Sequence, residues 1–443
     1  MKYLMPLRIV FALAIVLFSC KTENSQSLVP KGYEDGVLVF FKVEFFDQEL
    51  ESLDEDGISR LKEKVQKHVS EEFEGLEVDL KEIHFGKDSW FFAEKINSSQ
   101  LKQLERGVSG EFLNEFVSND HLDLQGRKPM MQSNPIPQGR KPQMQEDWRY
   151  DAARNANDFV VWVGGGMVGQ APSHKTVWIV DTGIDKEHQD LNGVVVTNLG
   201  YSAQSTSEFK DENGHGTMIA GIIGAISYNQ NNPLGKRDSI GINGIYPGAR
   251  MVSVKVLDEK GNSNMSKLSK GVDYILANAQ PGDVVNMSLG RENNNNCNWG
   301  RLDDKIRDLA SKGIYVVFSA GNETSSNSDN FPSCLADGNF LLSVGSMNMF
   351  CEGDHLIFSS FSNYGEMSSG SSTLPIWLAP GEQIFTTFKT TSTNKGVYAM
   401  GSGTSYSAAF MSGLLYKLSG KPSGTTQILR GGDGISYPVA KIE

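Results

Sequence analysis

Five apolar runs constrain this chain more than any other feature. The segments TVWIVDTG (176–183), RMVSVKVLD (250–258), DVVNMSL (283–289), IYVVFSAG (314–321) and FLLSVGS (340–346) are continuous, without the polar alternation of a strand that has one face in water. Runs of that kind belong in a parallel sheet covered on both faces. The stretches between them, such as MSKLSKGVDYILANA (265–279), repeat apolar residues at helical spacing. An α/β fold follows, with a mostly parallel sheet between two helical layers. Open sheets of this kind bind ligands at the carboxyl ends of their strands. Asp181 follows VWIV and Asn322 follows VVFSAG, where that rule expects functional side chains.

Three short segments carry chemistry. VDTGID holds Asp181, NGHGT holds His215 and GTSYS holds Ser405, in that chain order and each among small residues. A serine hydroxyl is a poor nucleophile unless an imidazole takes its proton and a carboxylate fixes the imidazole's tautomer. These three residues supply such a set. SAAFMSGLLYKL after Ser405 and TMIAGIIGAI after His215 read as buried helices, so Ser405 meets the positive end of a helix dipole. Two other readings compete with this one. Asp-Thr-Gly also marks aspartic proteases, but their chemistry needs a second such carboxylate, and no other Asp-Thr-Gly or Asp-Ser-Gly occurs here. A catalytically inactive surface binding protein on the same scaffold is expected to have lost a member of the set, and all are present.

At these residues the chain resembles the subtilisin-like serine proteases, which share the order Asp, His, Ser. The likeness runs over roughly 146–430 and includes GIYPGARMVSVKVLD (244–258), DVVNMSLG (283–290), GIYVVFSAGNE (313–323), FSSFSNYG (358–365) and APG (379–381). It implies a serine endopeptidase acting on protein or peptide substrates, with no cofactor for the chemistry. It implies that Asn322 donates to the oxyanion, that Ser288, Leu289 and Gly290 form one wall of the substrate cleft, and that the stretch near Gly261 to Asn264 forms the other. Ser263 stands where glycine is usual, and Ala409 and Phe410 replace the usual proline and histidine. Glu323 is expected near the pocket rim, favouring basic residues before the cut. A structural Ca²⁺ is implied at Asp190, with Asp238 and the carbonyls of Ile240 and Ile242, an oxygen-rich set that suits this ion.

Beyond Cys20 the chain has Cys297, Cys334 and Cys351, so at most one intrachain disulfide forms among these three, or three thiols stay free. In the family's layout the segments of Cys297 and Cys334 both border the specificity pocket, which favours that pair. The net charge of -12 argues against nucleic-acid binding.

The chain's 443 residues exceed one ordinary core. Residues 1–20 read as a signal peptide, with Lys2 and Arg8 before a short apolar run that ends in LFSC. That ending resembles a bacterial lipobox with Cys20 as the lipidated residue; an ordinary signal peptide or a short anchor are the other readings. The expectation is an exported protein, either a membrane lipoprotein or released after processing, touching membrane only through a lipid anchor.

Residues 21–31 read as a tether. Residues 32–124 show the order β-α-β-β-α-β: a strand at 37–46, a helix at 56–72, strands LEVDLKEI (76–83) and SWFFAEKI (89–96), a serine-capped helix at 98–107 and a strand at 111–120. This ferredoxin-like module resembles the prodomain of secreted subtilases, an intramolecular inhibitor that lays its last strand in the substrate groove. QGRKP occurs at 125–129 and again at 138–142, in a 125–147 segment too poor in apolar residues to order itself, where processing is expected. Residues 148–443 form the peptidase domain.

Overall fold

The computed structural model describes residues 37–41, 46, 55–73, 76–85, 89–93, 96–107, 113–118, 121–124, 150–151, 154–167, 175–227, 241–292, 297, 299–350, 355–365, 376–392, 394–430 and 435–442. Cys20, the tether, the QGRKP repeat, Asp238, Ile240 and Cys351 lie outside them.

The apolar runs form the expected sheet. Val177–Asp181 lies inside it, parallel to Met251–Lys255 on one side and to Val284–Met287 on the other. Tyr315–Ser319 and Leu341–Phe350 continue the parallel series, and His355–Phe358 adds an antiparallel edge. Successive side chains of one strand enter different layers. Val177 and Ile179 pack with the helices His215–Gly224 and Thr404–Leu418, whereas Trp178 and Val180 pack with Met265–Asn278 and Arg301–Ser311. Both faces are therefore apolar, which is why the runs show no alternation.

The N-terminal module has its own core around Val39, Leu61, Val65, Val69, Phe91 and Leu104. Its four strands run in the order Ile83–His84, Ser89–Ala93, Val37–Phe41, Leu113–Ser118, all antiparallel. The helices Glu55–Glu72 and Ser98–Gly107 complete the β-α-β-β-α-β order. Two details differ from the sequence reading. Leu76 and Val78 are buried, but Asp79 accepts from Lys81 N at 2.9 Å and turns the chain into a 3-10 helix at Leu80–Glu82, so only Ile83 of the LEVDLKEI run joins the sheet. The second helix is capped by Asn97, not by a serine. The Asn97 carboxamide accepts from the N–H groups of Ser99 and Gln100 at 2.9 and 3.0 Å, and Gln100 Oε1 accepts from Asn97 N at 2.8 Å, a reciprocal cap.

The two bodies meet along one sheet face. In Ser89–Ala93, Phe91 and Ala93 point into the module's own core, while Trp90 points into the layer built by Met265–Asn278 and Arg301–Ser311. A further strand, His121–Leu124, follows the module's last strand and leaves its sheet.

Candidate active site

Asp181 ends the Val177–Asp181 strand and is fully buried. His215 is the first residue of the His215–Gly224 helix, and its Nδ1 lies 2.9 Å from both Oδ1 and Oδ2 of Asp181. An ionised carboxylate only accepts, so the imidazole proton belongs on Nδ1 and Nε2 is left as the basic nitrogen. That Nε2 is buried without a hydrogen-bond partner. The approach of helix to strand depends on Gly216, where a Cβ would sit 2.0 Å from Gly183 O and 3.1 Å from Asp181 Oδ1.

The carboxylate of Asp211, 6% exposed, organises the same corner. It accepts from Thr182 Oγ1 at 2.9 Å, Gly214 N at 2.8 Å, Thr217 N at 2.9 Å and Thr217 Oγ1 at 2.6 Å. It thus fills the helix's unsatisfied N–H groups with a negative charge at the positive end of the dipole. Lys255, buried beside Asp181 on the neighbouring strand, donates to Thr182 O. Burial pushes its ammonium below the ordinary lysine value, against the raising influence of Asp211, Glu212, Asp181 and Asp258. Sequence reasoning missed both residues. The carboxylate four positions before His215 was the available signal for Asp211; for Lys255, a cation inside an otherwise apolar strand was the signal.

Ser405 lies in the first turn of the Thr404–Leu418 helix, which packs on the His215 helix. Its hydroxyl is 3.5 Å from Ser288 O, and Ser288 Oγ donates to Ser405 O at 3.2 Å. The imidazole does not engage it here, since Nε2 makes no hydrogen bond. Catalytic hydrogen bonds often tighten only with substrate bound. Asn322 sits beside the same helix start. Its Oδ1 accepts from Thr404 N at 2.9 Å, which leaves Nδ2 as the outward donor, buried and without a partner. Asn322 thus lies beside the serine's helix start, and the His215 ring lies 6.0 Å from the ring of Tyr406, the residue after Ser405.

The cleft-wall residues of the sequence reading meet an extended segment. His121–Leu124 pairs antiparallel with Asn262–Asn264, placing Leu122 opposite Ser263, and with Leu289–Glu292, placing Leu124 opposite Leu289 and Asp123 opposite Gly290. Ser263 does not disturb the ladder, because its hydroxyl folds back to Val256 O at 2.7 Å. Gly261, at φ +85°, forms the preceding turn and donates to Asp258 O. Glu323 turns Oε2 into its own loop, where it accepts from Asn322 N, Asn363 Nδ2 and Asn330 Nδ2. Ala409 and Phe410 are fully buried inside the serine's helix, so these departures from the family act on packing.

Of the calcium set, Asp190 and Ile242 are described. Asp190, 1% exposed, accepts on Oδ2 from Ile242 N at 2.8 Å and Tyr398 Oη at 2.7 Å. Ile242 thus presents a donor to Asp190, and this pair does not by itself make a cation site. Among the described residues no cluster of three or more His, Cys, Asp or Glu is placed to hold a metal. Cys297 and Cys334 are joined in a disulfide with Cα atoms 6.0 Å apart, the pair that the family's layout favoured.

Residues 173–430 match the subtilase family. Similar proteins include the minor extracellular protease Epr of Bacillus subtilis (strain 168), 35% identical over 228 residues, covering 51% of this chain and 29% of that one. Subtilisin amylosacchariticus of Bacillus subtilis subsp. amylosacchariticus is 31% identical over 245 residues, 55% of each chain. A crystal structure of a cold-adapted subtilisin-like serine proteinase is 25% identical with a TM-score of 0.47, covering 62% of this chain and 91% of that one. The match to Epr and to subtilisin amylosacchariticus thus spans about half of those relatives' length or less.

Proposed function

The chain belongs to the subtilase family, and from that premise we propose that it is a serine endopeptidase made as an autoinhibited precursor. Ser405 attacks the peptide carbonyl while His215 Nε2 takes its proton. Asp181, held to Nδ1, orients the ring and stabilises its cation. The tetrahedral oxyanion is held by Ser405 N–H, at a helix start, and by Asn322 Nδ2. His215 then protonates the departing amine, and water repeats the sequence on the acyl-enzyme. No cofactor takes part. The calcium implied at Asp190 would serve stability alone, and no step depends on it.

The observation that carries the reading is the buried, unpartnered His215 Nε2, whose Nδ1 is fixed at 2.9 Å to Asp181, in a site that also holds the unpartnered Asn322 Nδ2. Neither atom has a partner within the protein, so the base is free to take the serine proton and the donor to meet the substrate oxygen.

Residues 32–124 act as the inhibitory prodomain, with His121–Leu124 taking the backbone pairing of a substrate strand. Processing between 125 and 147 then frees the cleft. Export through residues 1–20, with lipid on Cys20, leaves the anchor on the prodomain, so cleavage releases the protease. The test is Ser405→Ala beside wild type. The variant accumulates uncut chain and loses casein hydrolysis; a variant that is processed and digests casein normally removes the mechanism.

A further inference from the structure

The loop that carries Asn322 is held from below by a carboxylate. Glu323 Oε2 accepts from Asn322 N at 2.8 Å, from Asn363 Nδ2 at 2.8 Å and from Asn330 Nδ2 at 3.1 Å. Asn363 and Asn330 are 0% and 1% exposed. They reach this oxygen because Gly321, at φ +109°, leaves the space open. A Cβ there would sit 2.1 Å from Asn330 Nδ2, 2.2 Å from Asn363 Nδ2 and 2.5 Å from Glu323 Oε2. Asn363 also accepts on Oδ1 from the N–H groups of Glu323 and Ser325, at 3.0 and 2.9 Å. Its backbone N–H donates to Gly321 O at 3.0 Å.

We propose that Glu323 is a positioning residue: its carboxylate fixes the backbone N–H of Asn322, and thereby the direction in which Asn322 Nδ2 meets the oxyanion. The asparagine is held at two points. Thr404 N holds Oδ1 at 2.9 Å from the serine's helix, and Glu323 holds the main-chain N–H at 2.8 Å. Rotation of the carboxamide about one contact would carry Nδ2 away from the serine; two contacts suppress it. Hydrogen bonds to an ionised acceptor are shorter and roughly twice as strong as neutral ones, which suits a clamp made of one carboxylate and three N–H donors. A carboxylate on the pocket rim would instead act on substrates by charge, through ground-state binding of basic side chains.

The inference rests on the peptidase reading, and the experiment separates the two. Glu323→Ala, Glu323→Gln, Asn322→Ala and the double variant Asn322→Ala/Glu323→Ala are assayed as full chains in the casein-hydrolysing state. The substrates are two peptides that differ only in lysine or leucine before the cut. Glu323→Ala lowers kcat roughly 10-fold to 100-fold on both peptides, with KM little changed, because a small misplacement of a transition-state donor acts on the chemical step. Glu323→Gln retains an acceptor for Asn322 N–H and recovers most of the loss. In the Asn322→Ala background the same Glu323→Ala change costs less than about threefold, since its target is gone.

Three results overturn the proposal: a KM increase confined to the lysine peptide, an equal kcat loss with and without Asn322, or a Gln variant as slow as Ala with an unchanged thermal midpoint. If Glu323→Ala fails to fold, Glu323→Asp, whose shorter side chain draws the carboxylate away from Asn322 N, and its double with Asn322→Ala carry the same comparison. Hydrolysis that survives Ser405→Ala in the same assay overturns the peptidase reading itself.

Discussion

His188 shows how one buried side chain ties stability to pH. Its Nε2 donates to Val397 O at 2.8 Å, and Nδ1 accepts from Asp190 N at 3.1 Å, so both nitrogens are used only if the ring is neutral. Burial pushes its pKa down to about 4, against the raising influence of Val397 O and Asp185. The unfolded chain therefore binds one more proton than the folded one between about pH 6.5 and 4. Stability is complete above that window and falls with acidification by at most about 1.4 kcal/mol per pH unit. Urea denaturation of a Ser405→Ala chain at pH 7 and pH 5 measures the slope, and His188→Gln should flatten it. Gly216 gives a sharper outcome. Gly216→Ala places a methyl group 2.0 Å from Gly183 O, so the helix must move off Asp181. A fall in kcat of about 100-fold or more is expected, and activity retained near wild type would show that the corner yields. The residues that carry the chemistry were legible as motifs, whereas Asp211 and Lys255 left only weak signals. Asp211 caps the nearby helix N–H groups, a local pattern, but its bond to Thr182 and that of Lys255 to Thr182 O join segments far apart in the chain.

Among the elements, those buried on both faces were readable, because short apolar runs rich in β-branched residues and separated by helical stretches point to covered parallel strands. The strand His121–Leu124 was not. The run 111–120 reads as the last strand of a module that ends at 124, and Leu113–Ser118 does close the module's sheet. The next segment pairs with distant edges at 262–264 and 289–290, which no local sequence pattern announces. A backbone-paired strand is sensitive to the loss of one donor. Leu122→Pro removes an N–H from a strand paired on both sides, and the lag before full casein hydrolysis should shorten; an unchanged lag would mean the pairing does not limit activation. The disulfide acts on the loop elements beside the cleft wall. Cys297 and Cys334 are 37 residues apart, and closing a loop of that size in the unfolded chain stabilises the fold by about 4 kcal/mol. Replacing both with serine should lower the unfolding free energy by roughly that amount in denaturant titration.

At the scale of the whole molecule, the N-terminal module meets the catalytic body through His121–Leu124 and, apart from that strand, around Trp90. The indole is fully buried, donates to Asp273 Oδ2 at 3.3 Å and has the ammonium groups of Lys305 and Lys270 5.6 and 5.9 Å from its ring centroid. Lys305, itself buried, binds the same Asp273 oxygen at 2.8 Å, and Lys270 meets Glu82 of the module at 2.6 Å. His84 stacks on the indole at 4.3 Å, its Nε2 buried without a partner, and its pKa is pushed down to about 3 by burial and then by Lys270, Lys62 and Lys305. Two of those three cations belong to the catalytic body, so separation relieves them and exposes the ring. The docked state thus binds fewer protons, and docking weakens as pH falls below about 6.5, by at most tenfold per unit. A Ser405→Ala chain cut within 125–147 by an added protease supplies the test, with co-elution of the two pieces measured at pH 7.5 and 5. Trp90→Ala should weaken association about 30-fold or more at both pH values, as expected of a buried aromatic anchor. His84→Phe keeps the stacked ring without the proton site, so it should preserve co-elution and lose the pH dependence. Dissociation of the His84→Phe chain at pH 5 to the same extent as the parent would place the acid response in another group.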